Sequence, residues 1–172
     1  MAIQTVLQLG DPRLREIASP VANPQSKEIA ALLKDLTDTL AHWRATTGYG
    51  RGIAAPQIGV AQRVIFLQLP GAQPWPLINP EIIVSEGKQY EEEGCLSFPD
   101  IREKVVRAAK VRIRAQDEKG KWFEMDGEEL LSRAFQHEID HLDGVLFIFR
   151  MSALKRSLNL RRIRKMQSEG TW

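Results

Sequence analysis

Ile29, Leu32, Leu33, Leu36, Leu40 and Trp43 recur at intervals of mostly three and four residues, which gathers them on one face of a helix. Ser26 precedes them as an N-cap and Gly48 and Gly50 follow, so the spacing predicts a helix from Ser26 to about Thr46. Between Gln57 and Met125 the pattern changes to that of strands. Val64 and Phe66 share one predicted strand, Ile82 and Val84 another. Val111, Ile113 and Ala115 alternate with Arg112, Arg114 and Gln116, as in a half-buried strand, and Glu118-Lys119-Gly120 turns the chain into a further strand over 121–125. A second helix is expected to open at Asp126, with Glu129 completing a capping box, and to stop at Gly144. A third runs from Ser152 to about Gln167. Ahead of all three helices, Asp11-Pro12, Ser19-Pro20 and Asn23-Pro24 break any regular period, so residues 1–25 read as an extended arm with turns. One helix, a block of strands and further helix describe an α+β fold with largely antiparallel pairing.

Composition adds bounds to this picture. A chain of 172 residues suits a single domain spanning 1–172, and 43% apolar with 27% charged residues is ordinary for a globular protein. The net charge of +2 says little about partners. Cys95 is the one cysteine, so no intrachain disulfide forms and a reducing compartment is expected. Gln4 and Gln8 interrupt the first apolar stretch, which argues against a signal peptide. Apolar runs such as Val145 to Phe149 fall far short of the ~18 residues of a membrane span. The expectation is a cytoplasmic protein without a membrane partner.

The chemistry concentrates in the second helix, in His137-Glu138-Ile139-Asp140-His141. Histidines at i and i+4 project from one face and can share a metal ion, with the intervening glutamate about 100° round the helix. Leu131, Phe135, Glu138 and Leu142 form the core-facing stripe, so Glu138 stands where an apolar residue would be expected. A buried carboxylate has a raised pKa, towards the range useful for proton transfer. Zinc peptidases of the His-Glu-x-x-His-x-x-Gly-x-x-His pattern would place a third histidine where Phe147 stands, and beyond the helix Glu169 is the one downstream acid. Upstream, Cys95 in Glu93-Gly94-Cys95-Leu96-Ser97 supplies a thiolate. A Cys-His-His set with an open fourth position is a catalytic arrangement rather than a closed structural one.

Gly50-Arg51-Gly52-Ile53-Ala54-Ala55-Pro56-Gln57, Glu93-Gly94-Cys95-Leu96-Ser97 and His137-Glu138-Ile139-Asp140-His141 resemble, in order and spacing, the three signature motifs of peptide deformylases. Gly10-Asp11-Pro12-Arg13-Leu14-Arg15 is similar to that family's N-terminal arm. The resemblance implies strands packed around a central metal-binding helix, and hydrolysis of the formyl group from N-formylmethionine on nascent polypeptides, releasing formate. It implies Cys95, His137 and His141 as ligands of one divalent ion, Fe²⁺ in the cell with Zn²⁺, Ni²⁺ or Co²⁺ tolerated. Glu138 would be the general acid/base, and the Leu96 N–H and Gln57 amide would steady the oxyanion. Gly50, Arg51, Gly52 and Ile53 would meet the substrate much like an added strand, with Glu93, Gly94, Arg133 and Ala134 completing the substrate site.

Arg51 departs from the family pattern, which is more usually apolar there, and Arg133 lies one turn before His137 on the histidine face. Either would favour a polar or acidic group if it points inward. His42, near Asp35 and Asp38, is expected to be solvated. Lys155, Arg156, Arg161, Arg162, Arg164 and Lys165 make 152–172 a basic helix and tail, and in the family such an extension can dock on the ribosome without reading nucleotide sequence. Two rivals remain at this point: a metal peptidase, and a deformylase-like binding protein without turnover.

Overall fold

A computed structural model describes residues 3–171. Met1, Ala2 and Trp172, the outer ends of the expected arm and basic tail, lie outside the described residues. The chain forms α1 (Lys27–Thr47), β1 (Gly52–Ala54), β2 (Val64–Leu67), β3 (Trp75–Glu86), β4 (Gln89–Cys95), β5 (Phe98–Arg107), β6 (Lys110–Gln116), β7 (Trp122–Glu128), α2 (Glu129–Leu142) and α3 (Ala153–Ser168). Strands β1, β2, β3, β6 and β7 make one antiparallel sheet in the order β1-β2-β3-β6-β7, and β4 pairs with β5 in a separate hairpin. This is the expected α+β architecture.

The two-residue period of the strands explains how two helices share one sheet. On β2 and β3, Val64, Phe66 and Ile78 cluster with Ile29, Leu32, Leu33, Leu36 and Leu40 of α1. Their neighbours Ile65, Leu67 and Leu77 join Val111, Ile113 and Ala115 in packing on Phe135, Ile139 and Leu142 of α2. The whole of β2 is consequently buried and reads as an unbroken apolar run. The hairpin closes a third cluster, in which Phe98, Ile101 and Val105 meet Leu146, Phe147, Ile148 and Ile163.

The first helix is capped as expected: Ser26 Oγ accepts from the Ile29 N–H at 3.3 Å, and Gly48 ends it in the left-handed region at φ 78°. The start of α2 differs from expectation. Asp126 does not cap a helix; it lies in β7 opposite Arg112, whose Nε donates to its Oδ1 at 2.7 Å. Pairing with β6 keeps the chain extended through Glu128, and the helix opens two residues later than the capping-box pattern suggests. Ile82 and Val84 do lie in a strand, but on either side of the second of two register shifts in the β3–β6 pairing, where β3 runs past the core and exposes them. His42 is exposed, while Asp38 pairs with Lys34 at 2.8 Å and Asp35 accepts from Gln4.

The N-terminal segment positions the site although it has little regular structure. Leu7 N–H donates to the Gln57 carbonyl at 2.7 Å, Leu9 N–H to that of Ser97 at 3.2 Å, and Ala18 N–H to that of Leu142 at 2.8 Å. It therefore stitches the first two motifs and the end of α2 together. Gly144 is in the left-handed region at φ 69°, and a Cβ there would collide with the Arg15 carbonyl.

At Gly127 the sheet packs closely on α2: a Cβ there would stand 2.8 Å from the ring of Phe135, itself fully buried. Gly127→Ala is expected to destabilise the protein by about 1–3 kcal/mol through overpacking. Urea unfolding monitored by tryptophan fluorescence measures it.

Candidate metal centre and active site

Helix α2 offers His137 and His141 from one face, and the bend after Glu93 in the β4–β5 hairpin brings Cys95 to them. The ligand atoms of Cys95, His137 and His141 lie within 4.8 Å of one another, and all three residues are buried. Sγ of Cys95 is 3.4 Å from Nε2 of His141. Sulfur and imidazole ligands at ~2.3 and ~2.0 Å on a tetrahedral ion stand about 3.5 Å apart, so the spacing fits. The donor set, one thiolate and two imidazoles, suits a divalent transition metal.

A buried acid–base network fixes one of these ligands. Nδ1 of His137 is 2.9 Å from Oε2 of Glu93, which leaves Nε2 for the ion. Arg107, 4% exposed, donates Nε and Nη2 to the two Glu93 oxygens at 2.8 and 3.0 Å, and Nη1 to Asp140 Oδ2 at 2.6 Å. Arg150 completes the chain with bonds of 2.7 and 3.0 Å to Asp140. Burial by itself would raise the Glu93 carboxyl, but its bonds with His137 and Arg107 outweigh that and hold it down at about 2. Burial pushes the His141 imidazole well below its ordinary value, so it is neutral, the form in which an imidazole can bind a metal.

Glu138 has the opposite environment. It is 6% exposed, and its Oε2 has no hydrogen-bond partner among the described residues. Burial pushes this carboxyl up to about 7, with the Glu93 charge adding and His137 and Arg107 opposing. Gly52 makes room for it, since a Cβ there would lie 2.6 Å from Oε1. Gln57 is oriented by the Ala54 N–H, which donates to its Oε1 at 2.9 Å and so aims the amide Nε2 at Cys95 Sγ, 3.5 Å away, and Ser97 Oγ. The position of a peptidase's third histidine is filled by Phe147, whose ring centroid is 5.9 Å from that of His137.

A cleft of about 340 Å³ opens over these groups. Gly50, Arg51, Gly52, Gln57, Glu93, Gly94, Cys95, Leu96, Arg133, Ala134, His137 and Glu138 all line it, as the motifs suggest. Two of the expected substrate-site residues turn their side chains to other partners. Ile53 buries its side chain in the α1 cluster, which leaves its backbone for an added strand, and the Glu93 carboxylate is bound to His137 and Arg107 at the cleft wall. Sequence reasoning missed Arg107, Asp140 and Arg150, and among the cleft walls Arg44, Tyr49 and Arg102. The available signal for Arg107 was its place on the inward-facing alternation of β5, two residues after buried Val105.

Residues 3–157 match the family model described as polypeptide deformylase. The chain is 57% identical over 176 residues to the peptide deformylase of Acidobacterium capsulatum, covering 100% of both chains. It is 48% identical over 151 residues to that of Heliobacterium modesticaldum, covering 88% of this chain and 95% of the relative. Among solved structures, a peptide deformylase from Legionella pneumophila superposes with a TM-score of 0.88 at 42% identity, covering 98% of each chain.

Replacing Arg107 by Met leaves Glu93 and Asp140 buried with a partner removed. An expected loss of about 3–5 kcal/mol in stability follows, because an uncompensated buried charge is what remains. Guanidinium titration of parent and variant checks it, and Arg107→Lys should recover only part of the loss because it loses the bidentate geometry.

Proposed function

The chain belongs to the peptide deformylase family and hydrolyses the formyl group of N-formylmethionine on nascent polypeptides, and we propose that Cys95, His137 and His141 hold its metal while Glu138 carries the proton. The observation that supports this most directly is the pairing of a three-ligand cluster with a buried, unpartnered carboxylate one residue from a ligand. When bound, a divalent ion supplies a Lewis acid that brings the pKa of a coordinated water from 15.7 towards ~7. Oε2 of Glu138 accepts a proton from the water that attacks the formyl carbon. The same oxygen then delivers that proton to the departing amine, so that formate and a free N-terminus leave. The Gln57 amide and the Leu96 N–H donate to the formyl oxygen as it gains charge, and Gln57 is already locked in that orientation by Ala54. Strand β1 is the edge of the sheet and lines the cleft, so the peptide extends along it as an added strand.

Fe²⁺ is the proposed ion in the cell, since availability rather than a Cys-His-His set decides among the candidates. The proposed compartment is the cytoplasm; no helix of the described residues is long and apolar enough to cross a membrane. The proposed docking partner is the ribosome, through α3. Ile163 and Asn159 anchor this helix, leaving Arg161, Arg162, Arg164 and Lys165 exposed. Lys155 is less available, held by Glu103 at 2.9 Å and by Tyr90.

Formate release from formyl-Met-Ala-Ser by anaerobically prepared, Ni²⁺- or Fe²⁺-loaded protein tests the assignment. Glu138→Ala is expected to bind metal but to lose at least ~10²-fold in turnover. Retained turnover would remove Glu138 from the role. For the ribosome, neutralising Arg161, Arg162 and Arg164 together should weaken co-sedimentation and flatten its salt dependence by up to about three phosphate contacts. Unchanged sedimentation would reject the α3 contact.

A further inference from the structure

The walls of the cleft carry four arginines, Arg44, Arg51, Arg102 and Arg133, against three acids, Glu92, Glu93 and Glu138. Three of these seven groups are already committed. Arg44 donates to the carbonyls of Gly50 and Gln68. Glu93 is bound to Arg107 and His137, and Glu138 lies at the buried floor. What remains at the mouth is Arg51, Arg102 and Arg133 facing Glu92 alone. Glu92 approaches Arg102 no closer than 3.9 Å, with both side chains half exposed.

Each of the three arginines lines the cleft where a peptide would pass. The Arg102 guanidinium lies over the Tyr49 ring at 5.2 Å, and its side chain covers Gly94. Arg51 flanks the free edge of β1, its carbonyl accepting from the Gln68 N–H at 2.8 Å, and its exposed side chain makes no ion pair among the described residues. Arg133 sits one turn before His137 and is only partly exposed, and its Nε is buried with no hydrogen-bond partner. The partly exposed remainder of this guanidinium lines the cleft and can meet a carboxylate there.

We propose that Arg51 and Arg133, with Arg102 at the rim, select formylated peptides that carry an aspartate or glutamate at the second or third residue. The proposal rests on the deformylase reading and names a preference within it. An extended peptide on β1 turns successive side chains to opposite sides, so an acid in either position meets the arginine on that side. The three cations also raise the local concentration of acidic chains, an effect that salt screens.

The test compares kcat/KM for formyl-Met-Asp-Ala, formyl-Met-Ala-Asp, formyl-Met-Lys-Ala and formyl-Met-Ala-Lys with the metal-loaded protein, at low and high salt. At low salt the acidic member of each pair is expected to be better by about 3–10-fold, mainly through KM. In Arg51→Gln and in Arg133→Leu one or both ratios should fall towards one. A ratio cancels any change in overall activity, and Arg51, on the surface, provides a variant free of folding effects. Calorimetry with the unformylated products Met-Asp-Ala and Met-Lys-Ala gives a second readout that needs no turnover. Equal rates, a preference for lysine, or ratios unmoved in both variants would overturn the proposal while leaving deformylation intact. If no formyl peptide turned over, the deformylase reading itself would fail, and the calorimetric comparison alone would decide whether the cleft selects acids.

Discussion

Arg107 is the contact on which the rest of the site depends. Its guanidinium, buried between the β4–β5 hairpin and α2, meets Glu93 on one side and Asp140 on the other. Three separate pieces of chain are thereby held in register: the strand that ends in Cys95, the helix that bears both histidines, and, through Asp140, the turn that contains Arg150. A guanidinium suits this place because its planar fork bonds two carboxylates at once and stays charged when buried. The same contact reaches the metal centre in one further step, because Glu93 orients His137.

Two glutamates lie close to the same histidine and behave in opposite ways. Glu93 is surrounded by donors and held at about 2, whereas Glu138 has no partner on Oε2 and is pushed up to about 7. Residue type is identical; the supply of hydrogen bonds in a dry environment separates a fixed charge from a group that can accept and return a proton. A bound dication would draw Glu138 downwards and keep it a base. Gly52 contributes by leaving space, which is why the edge strand passes the carboxylate without a side chain between them.

The helices, most of the strands and the ligand set were legible because each rests on a local rule. Apolar spacing marked the first helix, alternation marked Val111 to Gln116, and His137, Glu138 and His141 share one stretch of helix. Asp126 and Glu129 were misread for a reason of the same kind. The pattern for a capping box was present, but a cross-strand bond to Arg112 held Asp126 in β7. Local propensity lost to pairing with a residue fourteen positions away.

What the sequence by itself determined is the donor chemistry: a thiol and two imidazoles that can hold a divalent ion, and a carboxylate between the imidazoles on the core-facing stripe. These are properties of side chains and of short-range spacing. Only the tertiary structure decided that Glu93 supports His137, that Ile53 faces the core, and that three arginines gather at the cleft mouth with one acid opposite. Those outcomes depend on burial and on partners brought from 14 to 44 positions away, as in the Glu93 contacts with Arg107 and His137. Charge and hydrogen bonding at such distances are set by packing, and no local pattern encodes them.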